Sequence, residues 1–151
     1  MSKVSKIVPR LIIGQQHQDE RGTVTFFNDF DMTPVKRQYS IVPADALIVR
    51  AWQGHAVENK WFQVGTGKFL VRLIRLEAMQ NQIHSPDIFE FFLSAMNNTV
   101  LHIPGGFSNG FQSLEKNSLL KVYSDMSLSE ALNDEFRFPV SHGHYWKKYE
   151  I

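Results

Sequence analysis

The chain has 151 residues, 43% hydrophobic and 21% charged, a length for one sizeable core and a composition for a globular chain. Its formal charge of +1 removes any global electrostatic case for nucleic acid or an acidic membrane surface as partner. It has no cysteine, which excludes disulfides, thiolate nucleophiles and cysteine-based zinc sites.

The first 14 residues hold a short apolar stretch broken by Pro9 and Arg10, which is no secretory h-region. No later segment approaches the ~18 apolar residues of a membrane span, so the expected location is the cytoplasm. Strand-like runs rich in Val, Ile, Phe, Trp and Tyr follow at short spacing: 11–13, 23–27, 36–41, 47–52, 60–64, 68–76, 88–93, 100–103 and 118–123. Turn residues separate them, among them Glu20-Arg21-Gly22, Pro43-Ala44-Asp45 and Ser85-Pro86-Asp87. Gly65-Thr66-Gly67 between two runs predicts a tight hairpin. One short helix is predicted over 127–132, with Ser127 as N-cap and Glu130 at the capping-box position. There is no βαβ rhythm, repeat or linker, so the reading is an all-β sandwich or barrel. One domain is expected over 1–151, its core at about 19–138. The tail 139–151 is read as loosely attached, its aromatics available to dock on a partner subunit.

Four constellations could carry chemistry. Residues 49–62 pack Arg50, Trp52, Gln53, His55, Glu58 and Lys60 between two strong strands. They read either as a site or as a polar loop with a solvated His and an exposed ion pair. Residues 101–111 run from a Pro104-Gly105-Gly106 turn through Asn109-Gly110 to Phe111, where glycine permits close backbone approach. By itself this reads as a hairpin turn with core Phe. In 119–123, alternation puts Lys121 and Tyr123 on one face and Leu120 and Val122 on the other. If Leu120 and Val122 pack between sheets, Lys121 and Tyr123 point into a pocket; if not, they are ordinary surface residues. Asp134 is either a solvated turn acid or the acceptor that orients a histidine ring.

Several of these segments recur together in one known superfamily. Arg50…His55, Lys60-Trp61-Phe62-Gln63-Val64 with Gly67, and Ile103-Pro104-Gly105-Gly106-Phe107-Ser108-Asn109-Gly110-Phe111 stand in its order and spacing, with Asp19-Glu20-Arg21-Gly22 ahead of them. The chain resembles the RmlC-like cupins, the dTDP-4-dehydrorhamnose 3,5-epimerase superfamily. The nearer likeness is to the short WxcM-like sugar epimerases and sugar 3,4-ketoisomerases.

The resemblance implies a cupin jelly-roll barrel (a double-stranded β-helix), a homodimer, and a nucleotide-linked 4-keto-6-deoxy sugar as substrate. The setting it implies is surface-polysaccharide or deoxysugar biosynthesis. His55 falls at the family's base and Arg50 on its substrate-contacting strand arginine. Lys60 resembles the lysine before the next strand, and Asn109 stands where the 3,5-epimerases have histidine. Lys121 falls near their catalytic tyrosine, with Tyr123 two residues on. Asp134 matches the acid that orients the base.

Metal cupins use a His-x-His, a Glu and a later His. Here those positions read His55, Val57, Glu58 and Asn109, one imidazole instead of three, so no metal is expected. His142 and His144 in the tail have no further ligands near them in sequence. The mechanism implied needs no cofactor. His55 removes a proton next to a ketone, while Arg50, Lys60 and Asn109 stabilise the enolate. Trp52 and Phe111 exclude water, and Tyr123 or Lys121 returns the proton. Arg50, Arg72, Arg75, Lys36 and Arg37 are the cations available for the diphosphate. The alternatives are a non-catalytic sugar- or nucleotide-sugar-binding cupin, a metal-dependent cupin enzyme and a structural interaction protein.

Overall fold

The computed structural model describes residues 7–147 and 149. Its strands are β1 (Arg10–Ile13), β2 (Gln15–Asp19), β3 (Gly22–Phe26), β4 (Arg37–Ile41), β5 (Val49–His55), β6 (Lys60–Thr66), β7 (Lys68–Arg75), β8 (Phe89–Ser94), β9 (Thr99–Ile103), β10 (Phe107–Ser113), β11 (Leu119–Ser124) and β12 (Phe136–Arg137). Two short helices accompany them, α1 (Leu76–Gln80) and α2 (Leu128–Leu132). One sheet runs β1-β9-β6-β11-β4 and the other β12-β5-β10-β7-β8, with antiparallel pairing throughout. β2 and β3 form a separate hairpin.

Period-2 alternation builds the core between the two sheets. The first sheet contributes Phe62, Val64, Leu101, Ile103, Leu120 and Val122; the second contributes Phe69, Val71, Leu73, Leu93, Phe107 and Phe111. Full burial of each such side chain is worth about 1.5–3 kcal/mol. β7 is buried on its other face too, because Ile74 packs under Ala78 and Met79 of α1 and under Tyr145. That second cover explains why β7 reads as a nearly continuous apolar run.

The predicted helix is present, and its capping box is complete: Glu130 N donates to Ser127 Oγ and Ser127 N to Glu130 Oε1. Three local expectations change. Gly65-Thr66-Gly67 makes no hairpin, since β6 and β7 belong to different sheets and the turn is the corner between them. Gly67 has φ +78°, and a Cβ there would meet Ser118 Oγ at 2.1 Å, so this corner needs glycine. Residues 107–113, read as turn and loop, form the central strand of the second sheet, all seven buried. Their Gly and Asn mark a β-bulge, where the β10–β5 register shifts between Asn109 and Gly110. β2 was missed because the hairpin is exposed on nearly every residue and so carries no buried alternation.

The tail also differs from expectation. Tyr145 is buried, and Trp146 packs against Trp52 of its own chain. No helix among the described residues is long and apolar enough to cross a membrane.

Candidate functional site

A cavity of about 630 Å³ opens between the two sheets beside α2. Pockets of this size hold drug-sized ligands. Its walls are inward side chains of β4 (Arg37, Tyr39, Ile41), β5 (including Arg50, Gln53 and His55) and β10 (Asn109, Phe111). Phe62 and Phe111 meet edge to face at 5.8 Å, tying the lining to the core beneath it. Exposed Arg50, Leu128, Leu132 and Arg137 form the mouth.

His55 ends β5 opposite Phe107 and is 4% exposed. Its Nδ1 lies 2.8 Å from the backbone oxygen of Asp134. A carbonyl can only accept, so Nδ1 carries the proton and donates it. The neutral ring therefore has its lone pair on Nε2, which is buried without a partner. Burial pushes the His55 pKa below its ordinary value, and the Lys60 ammonium works in the same direction. The Asp134 carbonyl and the Glu58 carboxylate oppose this and are outweighed. The resting ring is a neutral imidazole with one fixed tautomer.

Glu58 is the carboxylate beside that ring. Its side chain is fully buried, and Oε1 lies 3.1 Å from His55 Nδ1 without forming a hydrogen bond. Its Oε2 accepts from Arg37 Nη2 at 3.2 Å and from Ser124 Oγ. Asp134 plays a different part from the one expected. Its backbone, not its carboxylate, orients His55. The carboxylate accepts from the N–H groups of Ala56, Val57 and Glu58 at 2.8, 2.9 and 2.7 Å. Burial raises its pKa, but those three donors outweigh burial and hold it below its ordinary value. Asp134 thus holds the turn that carries Glu58.

Lys60 opens β6, is 2% exposed and donates to Tyr39 Oη at 3.0 Å and to Gln53 Oε1 at 3.1 Å. Gln53 in turn donates to Glu135 Oε1 at 2.7 Å. Asn109 Nδ2 donates to the Gln53 carbonyl at 3.2 Å. Burial raises the Glu135 pKa, while hydrogen bonds from Gln53 and Arg137 outweigh it and lower it.

The structure brings His55, Arg50, Trp52, Lys60, Asn109 and Phe111 to one cavity. It does not bring Tyr123, Lys121, Arg72 or Asp134 into the lining. Leu120 and Val122 do pack between the sheets, but the cavity is that same space, so Lys121 and Tyr123 point outward. Tyr123 meets Phe30 edge to face at 5.5 Å and donates to Gln63 Oε1 at 3.2 Å. Arg72 sits on the outer face of the second sheet, paired with Glu90 at 2.8 Å. Residues 37–41 supply Arg37, expected from the sequence only as a cation for the diphosphate, and Tyr39, to which the sequence assigned no role. Their alternation with Gln38 and Ser40 was the available signal. Glu58 enters the sequence reading as part of a polar stretch and at the Glu position of the metal-cupin pattern, but not as a partner of His55; its i+3 spacing from His55 is the clue. Val57, at the second position of a His-x-His, is 65% exposed and outside the lining. Among the described residues no group of three or more His, Cys, Asp or Glu is placed to hold a metal.

No protein-family model matches the chain, and no curated protein sequence matches it. Solved structures do. A double mutant of ChmJ, a 3'-monoepimerase from Streptomyces bikiniensis, in complex with dTDP, superposes with a TM-score of 0.73 at 18% identity, covering 97% of this chain and 78% of that one. The dTDP-4-dehydrorhamnose 3,5-epimerase of Bacillus anthracis, with TDP and pyrophosphate bound, gives 0.72 at 17% identity, covering 88% and 79%. The sugar 3,4-ketoisomerase QdtA of Thermoanaerobacterium thermosaccharolyticum, in complex with TDP, gives 0.66 at 20% identity, covering 89% and 90%. The chain therefore has the RmlC-like cupin fold that its motifs resemble.

Proposed function

We propose that this cavity binds a nucleotide-linked 4-keto-6-deoxy sugar, with dTDP as the nucleotide, and that the chain is a cofactor-independent isomerase or epimerase acting next to the ketone. The observation that carries the reading is His55 Nε2, a buried, unpartnered lone pair on a ring whose other nitrogen is held protonated. That is the state a general base needs before it takes a C–H proton. Glu58, 3.1 Å from Nδ1, then stabilises the imidazolium.

The lining charges support an anionic ligand. Arg37 pairs with Glu58 and Arg137 with Glu135, which leaves Arg50 at the mouth and Lys60 inside as the lining cations with no carboxylate partner among the described residues. Arg50 is assigned to the diphosphate, for which guanidinium geometry suits. Lys60 spends two of its three N–H groups on Tyr39 and Gln53, and the third is assigned to the enolate oxygen. Because the Tyr39 oxygen accepts from Lys60, its own O–H is available to donate. Tyr39 therefore replaces Tyr123 and Lys121 as the proposed proton donor. His55 Nε2 takes the proton, an enolate or enediol forms, and Tyr39 returns a proton. Return to the opposite face of the same carbon gives an epimer; return along the enediol shifts the ketone. The two groups then reset by exchange with solvent.

On this reading the protein works in the cytoplasm, in deoxysugar or surface-polysaccharide synthesis, and as a homodimer. Exposed Leu11, Ile13 and Val24 on β1 and β3 supply apolar surface for the second copy.

Incubation with a dTDP-4-keto-6-deoxy sugar in heavy water, followed by NMR, tests the proposal. Deuterium enters at a carbon next to the ketone with the native chain and not with His55→Asn. Saturable binding without exchange would leave a nucleotide-sugar-binding cupin instead.

A further inference from the structure

Residues 142–147 complete neither sheet, yet they press on the back of the cavity wall. Tyr145 is buried against Trp52 and Met79, and its hydroxyl donates to the Ile83 carbonyl. His142 Nε2 donates to the Met79 carbonyl at 2.7 Å. Trp146 meets Trp52 edge to face, ring centroids 5.5 Å apart. The Arg72 guanidinium lies over the Trp146 ring, 4.7 Å from its centroid. Arg72 is fixed there by Glu90 at 2.8 Å and by the Lys147 carbonyl.

Beneath this strap lies the bulge between β5 and β10. Gly110 pairs with Ala51 and Asn109 with Gln53, so Trp52 is the extra residue of β5. A Cβ on Gly110 would come within 2.7 Å of the Ala51 side chain and 3.0 Å of the Trp146 ring. The same bulge presents Asn109 and Gln53 to the cavity, where Gln53 holds Lys60. Trp52 belongs both to the cavity lining and to the cluster under the strap.

We propose that Trp146 and Arg72 are positioning residues: the C-terminal strap holds Trp52 and the Gly110 bulge in the geometry that aims Asn109 and Gln53 into the cavity. Sequence reasoning placed Arg72 among substrate cations; this assignment gives it a part played from the opposite face of the sheet. A misplacement of about 1 Å at a distance from the chemistry is enough to cost on the order of a hundredfold in rate.

The test compares the full-length native chain with Trp146→Ala, Trp146→Phe and Arg72→Lys by amide and side-chain NMR, then by steady-state kinetics. Trp146→Ala is expected to shift the side-chain amide signals of Asn109 and Gln53 while leaving the β9 amides of Val100 and Leu101 in place. Trp146→Phe restores them. Arg72→Lys, which keeps the charge for Glu90 but loses the planar stack, shifts the same signals less. With the nucleotide sugar, Trp146→Ala raises KM more than it lowers kcat, and kcat/KM falls roughly tenfold or more. Only the kinetic arm rests on the nucleotide-sugar reading; if the native chain neither binds nor exchanges, that reading falls and the spectra still decide the strap. Unmoved Asn109 and Gln53 signals, or shifts spread equally through β9, overturn the positioning role. If Trp146→Ala does not fold, Arg72→Lys carries the same decision.

Discussion

The His55 ring and the Asp134 backbone carbonyl are 79 residues apart in the chain and 2.8 Å apart in space. By accepting from Nδ1–H, the carbonyl keeps the ring proton on Nδ1, leaves the lone pair on Nε2 and ties the ring to the segment that follows α2.

His55 should titrate below its ordinary value of 6.5, because burial and Lys60 both disfavour the imidazolium. An NMR titration of His55 is expected to show a midpoint under 6.5. The acid limb of kcat/KM for proton exchange should follow the same midpoint. His55→Asn is expected to lower exchange by about 10²–10⁴-fold. A midpoint at or above 6.5 would contradict this account of the environment.

The same titration has a consequence for stability. The unfolded ring, at 6.5, takes up its proton before the folded one, so the folded state binds fewer protons in that interval. The contribution of His55 is therefore complete above 6.5 and lost as pH falls through the folded value. His102, lowered by burial and by Arg10 against Asp125, adds in the same direction. Urea unfolding at a series of pH values should show stability falling on acidification below 6.5, with a shallower fall in His55→Asn.

Tyr39 and Tyr123 should separate cleanly. Tyr39→Phe removes a hydroxyl bonded to Lys60 in the cavity, whereas Tyr123→Phe removes one bonded to Gln63 on the outer face. Tyr39→Phe is expected to abolish product formation while deuterium exchange next to the ketone persists, since His55 still abstracts. Tyr123→Phe is expected to retain full turnover. Loss of turnover in Tyr123→Phe with a normal Tyr39→Phe would reverse the assignment.

Asp134 acts first on stability. Its carboxylate accepts from three consecutive backbone N–H groups. Asp134→Ala should cost about 2–3 kcal/mol in urea unfolding, because Ala56 and Val57 are exposed and water replaces part of what they lose. Its lowered pKa means this support is present above 3.8 and fades as pH falls below it.

Arg50 tests the anion end of the cavity. It is exposed and lines the mouth, and its side chain makes no hydrogen bond or ion pair with the described residues. Arg50→Ala should raise KM for the nucleotide sugar by about tenfold with kcat little changed, the signature of lost uniform binding. Fold stability should stay within about 0.5 kcal/mol of the native value.

Periodicity carried much of the architecture. Alternation in 119–123 separates two strand faces and the apolar run at 68–76 marks a buried strand without any knowledge of their partners, and Ser127 with Glu130 marks a helix start. These are local features, because side-chain period and capping are set by the backbone of one segment. β10 shows the limit: its Gly and Asn look like turn residues until two neighbouring strands are seen to bracket them.

The sequence by itself determined an all-β chain with a polar constellation around His55. Its order and spacing were enough to suggest the cupin barrel. Only the tertiary structure decided which face of β11 meets the cavity, which acid lies beside His55, and that Arg72 serves the tail. The reason is physical. Alternation says that Lys121 and Val122 face opposite ways, but which way is inward depends on where the other sheet lies. Glu58 meets Arg37 and Ser124, and His55 meets Asp134, only after chain segments distant in sequence have packed together.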